Sequence, residues 1–295
     1  MKRWLLFAVG VAIVIAATAA AAVAVGEHLA QQRAQRVVKV AVRPVAYRSD
    51  APALERGRYL YASRGCADCH GGDGSGRTLV DDGNGTRLAG PNITNGNPLV
   101  AAYVEVDWVR SIRHGVSPSG RPLRLMPSVD YNRLTDDDLA ALVAYVRQLP
   151  PAQGKLRGVI ELPLPARVLY GFGAIPDAFE IIDHGLPPAQ PVPEGPTAAY
   201  GQYVAQMCLG CHGPNLDGGR IPGGPPDWPP AARLTPGADS ALLRYADAAA
   251  FKRMLKTGQR PDGTPIAVMP FESLAQLSDT DATALFRYLK GLPGA

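Results

Sequence analysis

Cysteine is scarce in this sequence: its 295 residues include four, and all four stand in two short frames of one pattern. The frames read Cys66-Ala67-Asp68-Cys69-His70 and Cys208-Leu209-Gly210-Cys211-His212. No cysteine remains outside them to serve as a structural disulfide between domains, a free nucleophile or a thiolate ligand elsewhere. Any cysteine chemistry of the chain must therefore involve these frames, in which a histidine always follows the second cysteine.

A strong charge of either sign is also missing. There are 30 Lys and Arg against 26 Asp and Glu, for a formal net charge of +4, and no long basic run lies in the body of the chain. So small a net charge argues against a nucleic-acid partner. Charged residues make up 19% and apolar residues 46% of the sequence, which indicates a chain that folds. Its length suits two domains of common size and an appendage.

A long apolar run occurs once, at residues 4–26, directly after two basic residues. At about 1.5 Å per residue, this run can just cross a hydrocarbon core of about 30 Å. A cleaved signal peptide is the alternative, with Ala22-Val23-Ala24 as its cleavage site. Basic residues also follow the run, so charge alone does not orient it; they are Arg33, Arg36, Lys39 and Arg43. We expect an N-terminal membrane anchor over residues 1–30, and both interpretations predict export of the remainder.

The chain contains an internal repeat. A shift of 142 residues brings Cys66 onto Cys208, and a shift of 143 brings Met126 onto Met269. Repeats of this kind define the fold, so they take precedence over local patterns. We predict a juxtamembrane segment (31–49), a first repeat (50–150), a Pro-rich linker (151–196) and a second repeat (197–295). Further matched pairs are Trp108 with Phe251, Gly115 with Gly258, Gly120 with Gly263, Tyr145 with Tyr288, and Pro150 with Pro293.

Both repeats are predicted to be mainly α-helical, with long loops. "ALERGRYLYAS" and "TAAYGQYVAQ" precede the two frames and are typical of short helices. A closing helix follows Thr135, which forms a start resembling a capping box with Asp138, and apolar residues then recur at helical spacing. Ser278 and Asp281 repeat that start. The middle of each repeat is rich in Gly, Pro and Asn, and we expect no strands there.

The linker contains nine prolines, which argues against regular secondary structure. Its central stretch, "RVLYGFGAIPDAFEIID", is nevertheless apolar. We expect this stretch to pack on the two repeats as an ordered strap rather than a free tether.

The two frames allow three interpretations. Zinc sites use paired CxxC motifs, but these normally lie about 15 to 20 residues apart. A thioredoxin-like dithiol needs a βαβ context, and the sequence shows none. Only covalent haem attachment uses all three residues of C-x-x-C-H: both cysteines form thioethers, and the histidine binds iron. We therefore expect two haem c groups, held by Cys66, Cys69 and His70, and by Cys208, Cys211 and His212.

Methionine supplies the second axial ligand in this interpretation. Met126 and Met269 lie 56 and 57 residues after the frame histidines, and each is followed by proline. Met/His ligation occupies both axial positions of the iron and raises its reduction potential. Of the other methionines, Met207 abuts a frame cysteine, and Met254 matches a serine in the first repeat and is expected in the core.

Alternatives to these methionines remain open. Met126 and Met269 could be core residues that happen to align. His114 could bind iron in the first repeat, although Thr257 stands at its matched position. For His184, which has no matched residue, we expect a structural role.

These motifs resemble those of diheme class I cytochromes c. In that family a glycine-containing first helix crosses the last helix, and Gly57 with Tyr145, and Gly201 with Tyr288, match those places. "GPNIT" and "GVSPSGRPLRLMP" are similar to stretches in the cytochrome c subunits of membrane-bound periplasmic dehydrogenases of alcohols, aldehydes and gluconate-type sugar acids. The resemblance implies two tandem class I domains behind one transmembrane helix.

The expected function is transfer of single electrons, without a catalytic site on this chain. The resemblance implies a dehydrogenase subunit as electron donor and a cytochrome or terminal oxidase as acceptor. It also implies attachment to the bacterial cytoplasmic membrane, with the haem domains facing the periplasm. The alternative is a diheme redox enzyme, such as a peroxidase or a thiosulfate-oxidising cytochrome. Such an enzyme needs one iron with a displaceable ligand.

Overall fold

The structure is a computed structural model that describes residues 2–154, 157–225 and 227–293. It is mainly helical. The helices are α1 (Lys2–Gln35), α2 (Ala51–Ser63), α3 (Cys66–His70), α4 (Pro98–Ala101), α5 (Glu105–His114), α6 (Asp136–Gln148), α7 (Leu164–Gly171), α8 (Ala178–Ile181), α9 (Ala198–Val204), α10 (Leu209–His212), α11 (Ala248–Thr257), α12 (Phe271–Leu274) and α13 (Asp279–Lys290). Short 3₁₀ turns lie at Ser128–Asp130, Ala205–Cys208 and Ala241–Arg244.

The predicted repeat is visible in this order of helices. α2, α3, α5 and α6 of the first repeat correspond to α9, α10, α11 and α13 of the second. Gly115 and Gly258, which match in sequence, end α5 and α11 with φ angles of 62° and 70°. Glycine adopts this left-handed conformation at little cost, which explains its presence at both helix ends.

The first and last helices of each repeat cross at a glycine, as expected. A Cβ atom at Gly57 would lie 1.9 Å from the Ala141 carbonyl oxygen, and one at Gly201 would lie 2.0 Å from the Ala284 oxygen. The next nearest neighbours include the Cβ atoms of Tyr145 and Tyr288. Only a residue without a side chain permits so close an approach of two helix backbones.

The predicted capping residues also lie where expected. The Thr135 hydroxyl accepts a hydrogen bond from the Asp138 N–H, and the Ser278 hydroxyl accepts one from the Asp281 N–H, both at 3.0 Å. Each satisfies a backbone donor that the helix leaves free at its start.

We expected no strands in the middle of either repeat, and for the first repeat this prediction was wrong. A three-stranded antiparallel sheet forms from β1 (Thr78–Asp81), β2 (Arg87–Ala89) and β3 (Val159–Glu161). The strands have three or four residues each, too few for a visible alternation of apolar and polar side chains. β3 comes from the linker, so its pairing with β2 is a long-range event that no local pattern indicates.

The linker also contains more regular structure than predicted, because β3, α7 and α8 all lie within it. Its prolines stand mainly where they are tolerated: Pro163 precedes α7 and Pro165 occupies its first turn. Part of its apolar stretch packs on the first repeat. Tyr170 and Ile182 are buried, and Ala178 lies against Gly115 of the first repeat.

α1 is the one helix of the described ranges that is long and apolar enough to cross a membrane. It continues to Gln35, beyond the predicted boundary at residue 30. Its C-terminal part packs on α7, where a Cβ atom at Gly171 would lie 2.0 Å from the Gly26 carbonyl oxygen. Farther along, Arg33 pairs with Glu180, and Arg36 pairs with the buried carboxylate of Asp177.

Two reciprocal hydrogen bonds join the repeats. The Tyr59 hydroxyl of α2 donates to Asp281 of α13 at 2.8 Å, and the Tyr203 hydroxyl of α9 donates to Asp138 of α6 at 2.6 Å. Tyr59 and Tyr203 are 144 residues apart and follow Gly57 and Gly201 by two positions each. The contacts are therefore equivalent, and the two repeats face each other with approximate two-fold symmetry.

Candidate haem-binding sites

The first cysteine frame forms a single tight helical turn, α3. Gly65 and Gly71 flank it with φ angles of 81° and 79°, and the Gly76 N–H donates to the His70 carbonyl at 2.8 Å. The chain returns so close to the turn that a Cβ atom at Gly90 would lie 2.0 Å from the Cys69 carbonyl oxygen. This geometry fixes two thiols and one imidazole on a single short turn.

None of the four frame cysteines is joined in a disulfide. Burial raises the pKa of Cys66 to about 12 and that of Cys69 to about 11. Burial likewise raises the pKa of Cys208 to about 12. Reactive dithiols show the opposite shift, because exchange requires a thiolate. The direction of this shift is not that of a thioredoxin-like dithiol.

Both frame histidines are oriented by a backbone carbonyl. His70 Nδ1 lies 2.9 Å from the Pro91 oxygen, and His212 Nδ1 lies 2.7 Å from the Ala232 oxygen. A carbonyl can only accept, so Nδ1 carries the hydrogen and Nε2 keeps the lone pair that a metal needs. Burial also lowers the pKa of both histidines, although these carbonyls oppose the shift. The neutral, metal-binding form is therefore favoured.

A cavity of about 610 Å³ lies above the first frame. Cys66, Cys69 and His70 line it, together with Met126 and a mainly apolar wall that includes Leu142 and Val146. Pockets for large organic ligands have volumes in this range. The donor set and the apolar wall thus fit a haem attached through the cysteines, with an imidazole and a thioether both facing the cavity.

In the second repeat, the residues that match Cys66 and Met126 pack against the apolar core of that repeat. Cys208 and Met269 pack against the apolar cluster that contains Leu255 and Leu285. Met254 is 5% exposed and belongs to that cluster, which confirms its predicted core role. Met207 also packs there, beside the frame cysteine.

His114 is absent from the cavity wall given by the described residues. Its Nδ1 lies 3.0 Å from Nδ1 of His184, whose Nε2 is 2.9 Å from the Phe179 carbonyl oxygen. The carbonyl requires a hydrogen on His184 Nε2, so His184 Nδ1 accepts from His114. The two histidines form a partly buried link between the first repeat and the linker, which agrees with the structural role predicted for His184.

The contacts that surround the frames could not be predicted from the sequence. The Gly210 N–H of the second frame donates to Asp130 of the first repeat at 2.7 Å. The carbonyls that orient the histidines, and the tyrosines between the repeats, were also not identified. No local pattern could reveal them, because each joins residues at least 20 positions apart.

The fold and the two frames define a protein of two tandem cytochrome c domains, each with a CxxCH cysteine pair suited to covalent haem. A family model described as "Cytochrome C oxidase, cbb3-type, subunit III" matches residues 52–146 and again residues 196–289. The chain belongs to this cytochrome c family and contains its domain twice.

Several curated proteins are similar to this chain. The fructose dehydrogenase cytochrome subunit of Gluconobacter japonicus is 27% identical over 276 residues, which cover 85% of this chain and 54% of that protein. The gluconate 2-dehydrogenase cytochrome c subunit of Pantoea cypripedii is 30% identical, over 81% of this chain and 59% of that protein. A nicotinate dehydrogenase subunit from Pseudomonas putida is 28% identical, over 83% and 22% respectively. The chain thus spans little more than half the length of the first two relatives.

Proposed function

We propose that the chain binds two haem c groups and transfers single electrons. Cys66 and Cys69 form the thioethers of the first haem, and Cys208 and Cys211 form those of the second. The axial ligands are His70 with Met126, and His212 with Met269. Bound haem iron supplies the redox chemistry, by cycling between its ferric and ferrous states.

The observation that carries this proposal is the meeting of His70 and Met126 at one cavity beside the frame cysteines. A histidine and a methionine together occupy both axial positions, so no position remains for a substrate. The protein then acts on the potential of each iron through axial ligands, burial and hydrogen bonds. An enzymatic function would need an iron ligand that can be displaced. His114 is the candidate to exchange with Met126 at the first iron, but it is hydrogen-bonded to His184 instead.

The proposed electron donor is a dehydrogenase subunit. Three relatives whose names assign them to dehydrogenases support it, two of them cytochrome subunits of sugar or sugar-acid dehydrogenases. The proposed acceptor is a downstream cytochrome or a terminal oxidase. Helix α1 holds the protein on the outer face of the bacterial cytoplasmic membrane, so that both haem domains lie in the periplasm.

Haem content tests the proposal. The purified protein should contain two haems per chain, and both should stay on the polypeptide after extraction with acidified acetone. Replacing Cys208 and Cys211 with alanine should halve the covalent haem, and the matched double replacement of Cys66 and Cys69 should do the same. A single haem in the native protein, or zinc bound in its place, would refute the proposal.

A further inference from the structure

A pair of crossed contacts joins each methionine segment to the opposite cysteine frame. We call residues 126–130 and 269–273 the methionine loops. Asp130, at the end of the first loop, accepts a hydrogen bond from the Gly210 N–H of the second frame at 2.7 Å. Gly210 is the middle residue of its frame, between Cys208 and Cys211. The first methionine loop therefore contacts the attachment site of the second haem.

The second methionine loop makes the reciprocal contact. Ser273, at its end, lies beside Asp68, the middle residue of the first frame: a Cβ atom on Gly65 would lie 3.7 Å from both the Ser273 hydroxyl and an Asp68 carboxylate oxygen. The Ser273 hydroxyl itself donates to the Pro270 carbonyl oxygen of its own loop at 3.0 Å. Asp130 and Ser273 are 143 residues apart, and Asp68 and Gly210 are 142 apart. The two contacts thus occupy equivalent positions of the repeat, although only the one at Gly210 is a hydrogen bond.

A side chain at Gly210 would displace the Asp130 carboxylate. A Cβ atom on Gly210 would lie 2.8 and 2.9 Å from the two carboxylate oxygens of Asp130. Burial raises the pKa of Asp130 to about 7, and the Gly210 N–H only partly opposes this shift. A desolvated carboxyl group is thus held against the frame of the other repeat. The reciprocal bonds of Tyr59 and Tyr203 hold the same interface in register.

We propose that Asp130 and Ser273 are positioning residues, each for the haem that is attached to the opposite repeat. Each methionine loop then supports its own iron and, at its far end, the attachment turn of the other haem. The inference rests on the proposed function, since it requires both haems. A substitution at the end of one methionine loop should therefore affect the haem of the other repeat. A negative charge beside a haem favours ferric iron, because it stabilises the more positive state.

The test is a spectroelectrochemical titration of the full-length, haem-loaded protein at pH 8, above the pKa of about 7 that burial gives Asp130. Met126→Ala and Met269→Ala assign the two potentials, because each lowers the potential of its own haem. Asp130→Ala should then raise the potential of the haem at Cys208 and Cys211, and should change the far-red methionine band of that haem. Asp137→Asn is the matched control, since it removes an exposed carboxylate from the same repeat; its shift should be smaller.

Two further variants separate geometry from charge. Asp130→Asn keeps an acceptor for the Gly210 N–H, so it should restore the far-red band while the potential stays raised. Ser273→Ala should move the potential of the haem at Cys66 and Cys69 more than that of the other haem. If Asp130→Ala and Asp130→Asn move only the first haem, or move the second no more than Asp137→Asn does, the inference is wrong. The proposed function would survive that result, because it depends on the native protein containing two covalent haems.

Discussion

At the scale of single residues, Asp281 shows how buried charge holds the two repeats together. Its side chain is fully buried and pairs with Arg64 of the first repeat at 2.6 Å. The hydroxyls of Tyr59 and Tyr200 also donate to it, at 2.8 and 2.9 Å. Burial raises the pKa of Asp281, but Arg64 and the two hydroxyls outweigh it and leave a net lowered pKa. The stability from this site is therefore present above the ordinary pKa of 3.8 and is lost as pH falls through the lowered value.

Replacing Arg64 should destabilise the protein strongly. Arg64→Ala leaves the Asp281 carboxylate buried without its cation, and such a loss costs about 3 to 5 kcal/mol. Thermal or urea-induced unfolding at pH 7 measures the effect. Glu272→Gln is the control, because the Arg77–Glu272 pair also joins the two repeats but is 45% and 66% exposed. That variant should lose about 1 kcal/mol or less; equal losses in the two variants would contradict this account of the interface.

At the scale of secondary-structure elements, the crossings of α2 with α6 and of α9 with α13 set the shape of each repeat. Gly57→Ala and Gly201→Ala would each place a methyl group about 2 Å from a helix carbonyl oxygen. Overpacking of this kind costs about 1 to 3 kcal/mol or more, because backbone cannot yield as a side chain can. Both variants should show a lower Tm and reduced haem incorporation in cells. Gly72→Ala, with no atom within 4 Å of the added Cβ, should behave like the native protein.

The closing helices and the cysteine turns could be predicted from sequence because their determinants are local. Thr135 and Ser278 mark helix starts by short-range capping, and each frame specifies its own turn within five residues. The sheet could not be predicted, since β3 gains its stability from β2, some seventy residues earlier. Gly210, the partner of Asp130, lies in the opposite repeat, and so do Arg64 and Tyr59, two of the partners of Asp281. The repeat indicates which positions are equivalent, but not that the contacts between them cross over.

At the scale of the whole molecule, the linker connects the N-terminal helix to the first haem site. Arg33 near the end of α1 pairs with Glu180 in α8, and Arg36, just after α1, pairs with Asp177 just before α8. α8 in turn lies near the first methionine loop, because Ala178 and Ser128 both border Gly115. The expected anchor is therefore fixed to the haem domains by defined contacts rather than by a flexible tether.

The N-terminal segment should keep the native protein on the membrane. Membranes washed with alkaline carbonate should retain it, because a 23-residue apolar span is removed only with the bilayer. Replacing residues 1–26 with a cleavable signal should release a soluble, haem-loaded protein into the periplasm, since Arg33 and Arg36 and their partners remain. A mature native chain that begins near Val25 would show instead that the run is a signal peptide.

The central claim is that the protein binds two haems and that neither iron has a free axial position. Replacing the axial methionines tests this claim most directly. Met126→Ala and Met269→Ala each remove a thioether that favours ferrous iron. In each variant one haem should lose its far-red band, fall in potential and bind carbon monoxide when reduced, while covalent attachment stays intact. Met254→Leu, which changes a buried methionine of the second core, should leave the spectrum and both potentials unchanged.

The decisive measurement is carbon monoxide binding to the reduced protein, followed spectroscopically in the native chain and in both methionine variants. We expect no rapid binding in the native protein and rapid binding at one haem in each variant. Rapid binding at a haem of the native protein would contradict the account and favour a diheme enzyme. An unchanged spectrum and unchanged potentials in Met126→Ala would show that another residue binds the first iron.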